Sequence, residues 1–243
     1  AADLARAGVT GPADVFRGDF GFYSLYARDH SGGQRLLDSI ENLGERWFLP
    51  EAAFKLIPSC HYIHPFVEAA HQAIDSGLDW REINNLHCWV PAEVTRIIAE
   101  PWSAKMRPRT SHDARWSLPY VLAAVLLDGD VGVQLFSGPR REEVTKLAEL
   151  MTFQPWVDSG YPERFPARIR VTFRDNTNSE YAISDVKGGA GRPIQKSDVV
   201  DKAFRNLEGA GWDASRINGF TDLILQGDET SVSELSAFLR FSQ

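Results

Sequence analysis

The sequence predicts an α+β fold, and three stretches carry that prediction. Residues 120–127 are apolar on every side of a helical projection, as in a helix buried inside a domain. Residues 167–184 alternate with period two around the polar turn "RDNTNSE", the pattern of a β-hairpin. After the Gly/Pro segment 188–193, helical periodicity returns and runs to the end of the chain.

In chain order, "AADLARAGVTGPADVF" reads as the end of a helix and a Gly-Pro turn. The aromatics at 16, 20, 22, 23 and 26 that follow must pack on something. Residues 34–43 predict a short helix. "HPFVEAAHQAIDSG" predicts a firmer one, with Phe66, Val67, Ala70, Ala73 and Ile74 at helical spacing, Pro65 in the first turn and Gly77 at the end. Residues 83–91 alternate as a strand that Pro91 closes. "DARWSLPYVLAAVLLDGD" is expected to be helical, started by Ser111 and Asp113 and ended by Gly129. Residues 140–150 predict an amphipathic helix. Past the hairpin, Ser197 is the expected N-cap of a helix whose stripe is Val199, Val200, Ala203, Phe204 and Leu207. "KGGAGRP" lacks the lysine pattern of a phosphate loop and reads as a hinge and a domain boundary.

Composition narrows the function. The 243 residues, 43% of them hydrophobic, are enough for one large domain or two small ones. A net charge of −7 and a pI near 5.4 argue against general binding to nucleic acid or to a membrane surface, which needs a basic footprint. No apolar run reaches membrane-spanning length, and the first residues lack the basic-then-apolar order of a secretion signal. Cys60 and Cys88 read as thiols in a reducing, cytoplasmic setting.

In this acidic chain, "FKLIPSCHYIHPF" (54–66) gathers Lys55, Ser59, Cys60, His61 and His64 within ten positions. A lysine in a dry cleft can neutralise a carboxylate, and a histidine or thiol can move a proton near neutral pH. A second cluster, "AKMRPRTSHDAR", offers Lys105, Arg107, Arg109, His112 and Arg115, and guanidinium groups bind carboxylates bidentately. Each has a plainer reading. Lys55 can be a surface lysine, Cys60 a packed thiol, His64 a helix-start residue and the arginines solvated ion pairs. His87 and Cys88 do not combine with Cys60 and His61 in any zinc spacing, so no metal is expected.

Four ordered segments resemble the MmgE/PrpD family: "GVTGPADVFRGDFGF", "FKLIPSCHYIHPFVEAA", "RPRTSHDARWSLPYVLAAVLLDGDV" and "VKGGAGRPIQKSDVVDKAF". The family includes 2-methylcitrate dehydratase, cis-aconitate decarboxylase and iminodisuccinate epimerase. The resemblance implies an α+β lid inserted between segments of an all-helical domain. Residues 1–45 would end the first helical segment, 46–190 would form the lid, and 191–243 would be the returning helices. It implies cofactor-independent proton transfer next to a carboxylate of a small di- or tricarboxylate, giving dehydration, decarboxylation or epimerisation. By that match Lys55, Cys60 and His64 are catalytic candidates, and Ser59, His61 and Arg107 substrate-binding candidates. His61 stands where many relatives carry Arg. Family chains extend further upstream, so the chain is expected to act as a homodimer or with a partner chain supplying the remaining helical half, and to turn over little by itself. The alternative is a non-catalytic partner subunit or fragment that only binds or dimerises.

Overall fold

A computed structural model of the chain describes residues 1–16, 18–27, 32–227 and 231–240. The chain divides into two compact units, Ala1–Pro50 and Glu51–Gln243.

The first unit holds α1 (Ala2–Arg6), a single π-helical turn (Tyr23–Ala27) and α2 (Gly32–Ile40), close to the helix expected at 34–43. Its aromatics do find one another: Phe22 lies edge-on to Tyr23 at 5.5 Å and stacks with Tyr26 at 5.1 Å. They do not find a core. Phe20 is 89% exposed, and Gly21 alone is buried among the unit's described residues.

The second unit is built on a four-stranded sheet of β1 (Ile83–Pro91), β2 (Met151–Trp156), β3 (Ala167–Phe173) and β4 (Asn178–Ile183), in the order β2-β1-β3-β4. Strand β1 pairs parallel with β2 (Leu86↔Met151) and antiparallel with β3 (Leu86↔Val171), and β3 pairs antiparallel with β4. The sheet is therefore mixed and the fold α+β, as expected. Leu86, Cys88, Val90, Ile169 and Val171 point to the buried face, under α3 (His64–Asp75), on which α7 (Leu118–Asp128) packs in turn. The opposite face carries His87, Trp89, Arg168 and Arg170. The Arg168 and Arg170 guanidiniums sit 4.5 and 5.0 Å from the Trp89 ring centroid, and Glu180 accepts from both. Strand β2 was not foreseen, because Pro155 and an irregular burial pattern hide it. As an edge strand it tolerates a residue without an amide proton.

Short helices connect β1 to β2: α4 (Thr95–Ile98), α5 (Trp102–Met106), α6 (Ser111–Arg115), α7, α8 (Gln134–Ser137) and α9 (Glu142–Ala148). The single helix expected from Asp113 onward is two helices. The Thr110 hydroxyl, not Ser111, caps α6 by accepting from the Asp113 amide at 3.0 Å. The Ser117 hydroxyl restarts the chain as α7 by accepting from the Tyr120 amide at 3.1 Å. Gly129 closes α7 in the left-handed region at φ 83°. Every residue from Leu118 to Leu126 is buried, as its uniform hydrophobicity predicts. Leu122→Ala should therefore cost about 3 kcal/mol, the scale of a cavity in a packed core, read as a lowered urea midpoint with unchanged m-value.

Three helices follow the sheet: α10 (Lys196–Gly209), α11 (Ala214–Leu225) and α12 (Val232–Leu239). Residues 228–230 and 241–243 of the expected helical run lie outside the described residues. Ser197 is not the N-cap. Gln195 is, in a reciprocal pair with Asp198, whose carboxylate accepts from the Gln195 amide at 2.8 Å. The expected stripe of α10 is only half covered, and Val199 is 43% exposed.

Candidate active site

The geometry begins with the main chain of residues 54–64. Residues 52–55 have no regular secondary structure, and Pro58 restricts the turn that follows. Cys60 is extended, after which the chain coils through a 3₁₀ turn (His61–Ile63) into α3, with Pro65 in the first turn as expected. The end of α6 brackets the stretch: the Cys60 amide donates to the Arg115 carbonyl at 2.8 Å, and the Arg115 guanidinium donates to the Pro58 carbonyl at 3.3 Å. That guanidinium also lies over the Phe136 ring at 4.9 Å. Nothing in the local sequence announces this role for Arg115.

Lys55 is exposed and lines a cleft of about 490 Å³ with Pro58, Gln134, Asn206, Lys202 and Arg205. Asp130 and Glu208 also border it, and Asp130 pairs with Arg205. Behind Lys55 the side chains become progressively enclosed. His61 is half-buried, its ring 5.0 Å from that of His64 and 5.2 Å from Phe165. Ser59, Cys60 and His64 are buried. The Ser59 hydroxyl has only a long contact, 3.4 Å, to the Cys60 carbonyl.

His64 is the unusual group. Only 4% of it is exposed, and its Nε2 has no hydrogen-bond partner. Burial, reinforced by the positive fields of His61 and Lys55, pulls its pKa down to about 3, against a hydrogen bond to the Ser59 backbone that favours the charged form. The ring is neutral at physiological pH. Since Nε2 is unpartnered, the backbone bond falls to Nδ1, which leaves a lone pair on Nε2. Burial and then Lys55 also lower His61, while Asp185 opposes them. Burial pushes the Cys60 thiol up, against the Tyr62 backbone and the charges of Lys55 and Lys105, so Cys60 is a protonated thiol near neutral pH.

Of the second cluster, Arg115 braces this stretch and Lys105 adds its charge near Cys60, but Arg107 stands apart. Arg107 lines a separate cleft of about 470 Å³ with Lys105, Arg109, His112 and Trp116, and its guanidinium pairs with Glu149. The Lys105 ammonium donates to the Ile97 and Trp116 carbonyls at 2.6 and 2.7 Å. His87 and Cys88 project to opposite faces of β1, His87 bonding the Thr152 hydroxyl at 2.9 Å and Cys88 fully buried. Among the described residues no group of three or more His, Cys, Asp or Glu side chains is arranged to hold a metal ion. None of the described helices is long and apolar enough to cross a membrane.

Residues 57–220 match the family model of the MmgE/PrpD C-terminal domain. The chain belongs to the MmgE/PrpD family. The match contains Cys60, His61, His64 and Arg107 and begins two residues after Lys55. This member is 26% identical over 217 residues to a cis-aconitate decarboxylase of Aspergillus terreus, an alignment covering 82% of this chain and 43% of that protein. It is 25% identical, with the same coverage, to the cis-aconitate decarboxylase of A. terreus strain NIH 2624 / FGSC A1156. The chain thus spans less than half the length of these curated relatives.

Proposed function

We propose that the chain carries part of the active site of a lyase or isomerase that moves a proton at a carbon next to a carboxylate of a small di- or tricarboxylate. The observation that carries this reading is the pairing of a cleft-lining cation, Lys55, with an adjoining enclosed and neutral His64 whose Nε2 is unpartnered. Removing a proton beside a carboxylate builds negative charge on it, and a fixed ammonium stabilises that charge far better in a partly dry cleft than in water. Lys55 has this role. His61, neutral and more accessible than His64, exchanges the proton, while the His64 lone pair accepts a hydrogen bond from the protonated partner. Cys60, held as a thiol, is the acid on the same turn, and Ser59 orients the ring of His64 through its backbone.

Family membership and the similarity to cis-aconitate decarboxylases support a tricarboxylate such as cis-aconitate as the first compound to try. The lid assignment for 46–190, with 191–243 as returning helices, belongs to the same proposal, as does a homodimer or a partner chain completing the site. The test is solvent deuterium exchange into cis-aconitate, citrate and succinate, followed by NMR. It is read on this chain alone and together with a polypeptide supplying the rest of the relatives' length. Exchange into a carbon-bound position of a polycarboxylate is the expected result; none in either setting leaves a binding or dimerising chain. Arg107 would have to release Glu149 to take a carboxylate, so Arg107→Ala should weaken citrate binding no more than about threefold, as befits an exposed pair. Calorimetric titration at low and high salt measures it.

A further inference from the structure

The fourth signature segment, "VKGGAGRPIQKSDVVDKAF", holds no group that the proposed chemistry uses, yet it bonds the main chain of the stretch containing Lys55 at two points. The Phe54 amide donates to the Gly188 carbonyl at 2.9 Å. Gly188 sits at φ 112°, and a Cβ there would lie 2.6 Å from the Phe54 carbonyl oxygen, so only glycine lets the two main chains approach this closely. The loop is closed on itself by the Gly188 amide donating to the Arg192 carbonyl at 2.7 Å. It is fastened to α3 through Glu68, which accepts from the Lys187 amide at 2.7 Å and the Arg192 guanidinium at 3.0 Å. The Lys187 ammonium then ties the loop to α10 by pairing with Asp198 at 2.7 Å. One turn further along α10, the Lys202 ammonium donates to the main-chain carbonyl of Lys55.

We propose that Lys202 is a positioning residue for Lys55: its ammonium clamps the Lys55 carbonyl, and with the Gly188 contact this sets where the Lys55 side chain stands in the cleft. The inference rests on the reading of Lys55 as the cation that meets the carboxylate. Residues 52–55 have no helix or strand to place them, and the two main-chain bonds described at Phe54 and Lys55 both come from beyond residue 185. A charged donor makes the stronger kind of clamp, and Lys202 is itself part of the cleft lining, so its loss would be felt there directly. Lys202 also adds to the positive field on His64, which ties the clamp to the proton-moving groups.

Lys202→Met and Lys202→Arg decide the matter. The chain has six lysines, so ¹³Cε-lysine NMR resolves Lys55 individually. In the unaltered chain the two Hε of Lys55 should be inequivalent, as in a restrained side chain. In Lys202→Met they should merge while the other lysine signals and the thermal midpoint stay in place, and in Lys202→Arg the inequivalence should return. Citrate affinity should fall about 10-fold in Lys202→Met, the scale of one charge-assisted hydrogen bond, and recover in Lys202→Arg. An unchanged Lys55 signal in Lys202→Met, or an arginine variant as loose as the methionine one, overturns the proposal. Should the methionine variant fail to fold, Lys202→Leu, which likewise has no donor, takes its place, and an unchanged Lys55 signal again overturns it. If the unaltered chain binds no citrate, the functional reading fails, while the Lys55 signal still reports on the clamp.

Discussion

Lys55→Ala should lower solvent deuterium exchange into cis-aconitate by about 100-fold or more, a loss of roughly 2.7 kcal/mol of transition-state stabilisation. The size follows from the site. Lys55 lines the cleft and acts electrostatically on Cys60, His61 and His64. Removing it takes away the charge that meets the carboxylate and leaves two neutral histidines and a thiol with no cation to balance a developing carbanion. Lys55 is exposed and makes no packing contribution comparable to α7, so folding should survive, and the loss should appear in kcat/KM rather than in the thermal midpoint. Exchange that continues undiminished in Lys55→Ala, in whichever setting the unaltered chain shows it, would take Lys55 out of the mechanism.

The second large effect is on stability. His64 titrates near 6.5 when unfolded and near 3 when folded, so between those values the unfolded chain binds a proton that the folded chain refuses. Stability must therefore fall as pH drops through this window. The His64 contribution should be about 2 kcal/mol lost at pH 5 relative to neutral pH, and roughly 4–5 kcal/mol by pH 3. His61, also lowered, acts in the same direction. The carboxylates held below their ordinary values by arginine or lysine partners, such as Glu180 and Asp198, contribute only at lower pH, starting near 4.5. The interval from pH 6.5 to 5 thus isolates the histidines. Urea unfolding across that interval should show a clear slope that is much flatter in His64→Gln. An equally steep slope in His64→Gln would mean that the buried ring does not resist protonation.

The parts of this molecule that could be read from its sequence are those whose cause is local. Helix α7 announces itself because all of its faces are apolar, and the β3–β4 hairpin because each strand has one buried face. Lys55, Cys60, His61 and His64 sit on one turn, so proximity in sequence already implied proximity in space. What stayed hidden depends on distant partners. Strand β2 exists because β1 offers it a parallel edge, which its own residues do not advertise. Lys105 and Arg107 look alike as charges, yet one is consumed by two carbonyls and the other by Glu149 on the far side of the helical crossover. Lys202 reaches a carbonyl 147 positions away, and no periodicity within α10 points to it.

That span has a consequence for biosynthesis. The sheet, α3 and α7 are complete once residue 183 has left the ribosome, so the hydrophobic interior can consolidate while α10 is still unmade. The bonds from Gly188 to Phe54 and from Lys202 to Lys55 bring together chain segments more than 130 residues apart, contacts that form slowly because a large loop must close first. A nascent chain therefore passes through a stage with a finished core and an unseated Lys55. The cleft is made after the interior, and a translation product ending before residue 188 would lack the Gly188 and Lys202 contacts that hold its Lys55 wall.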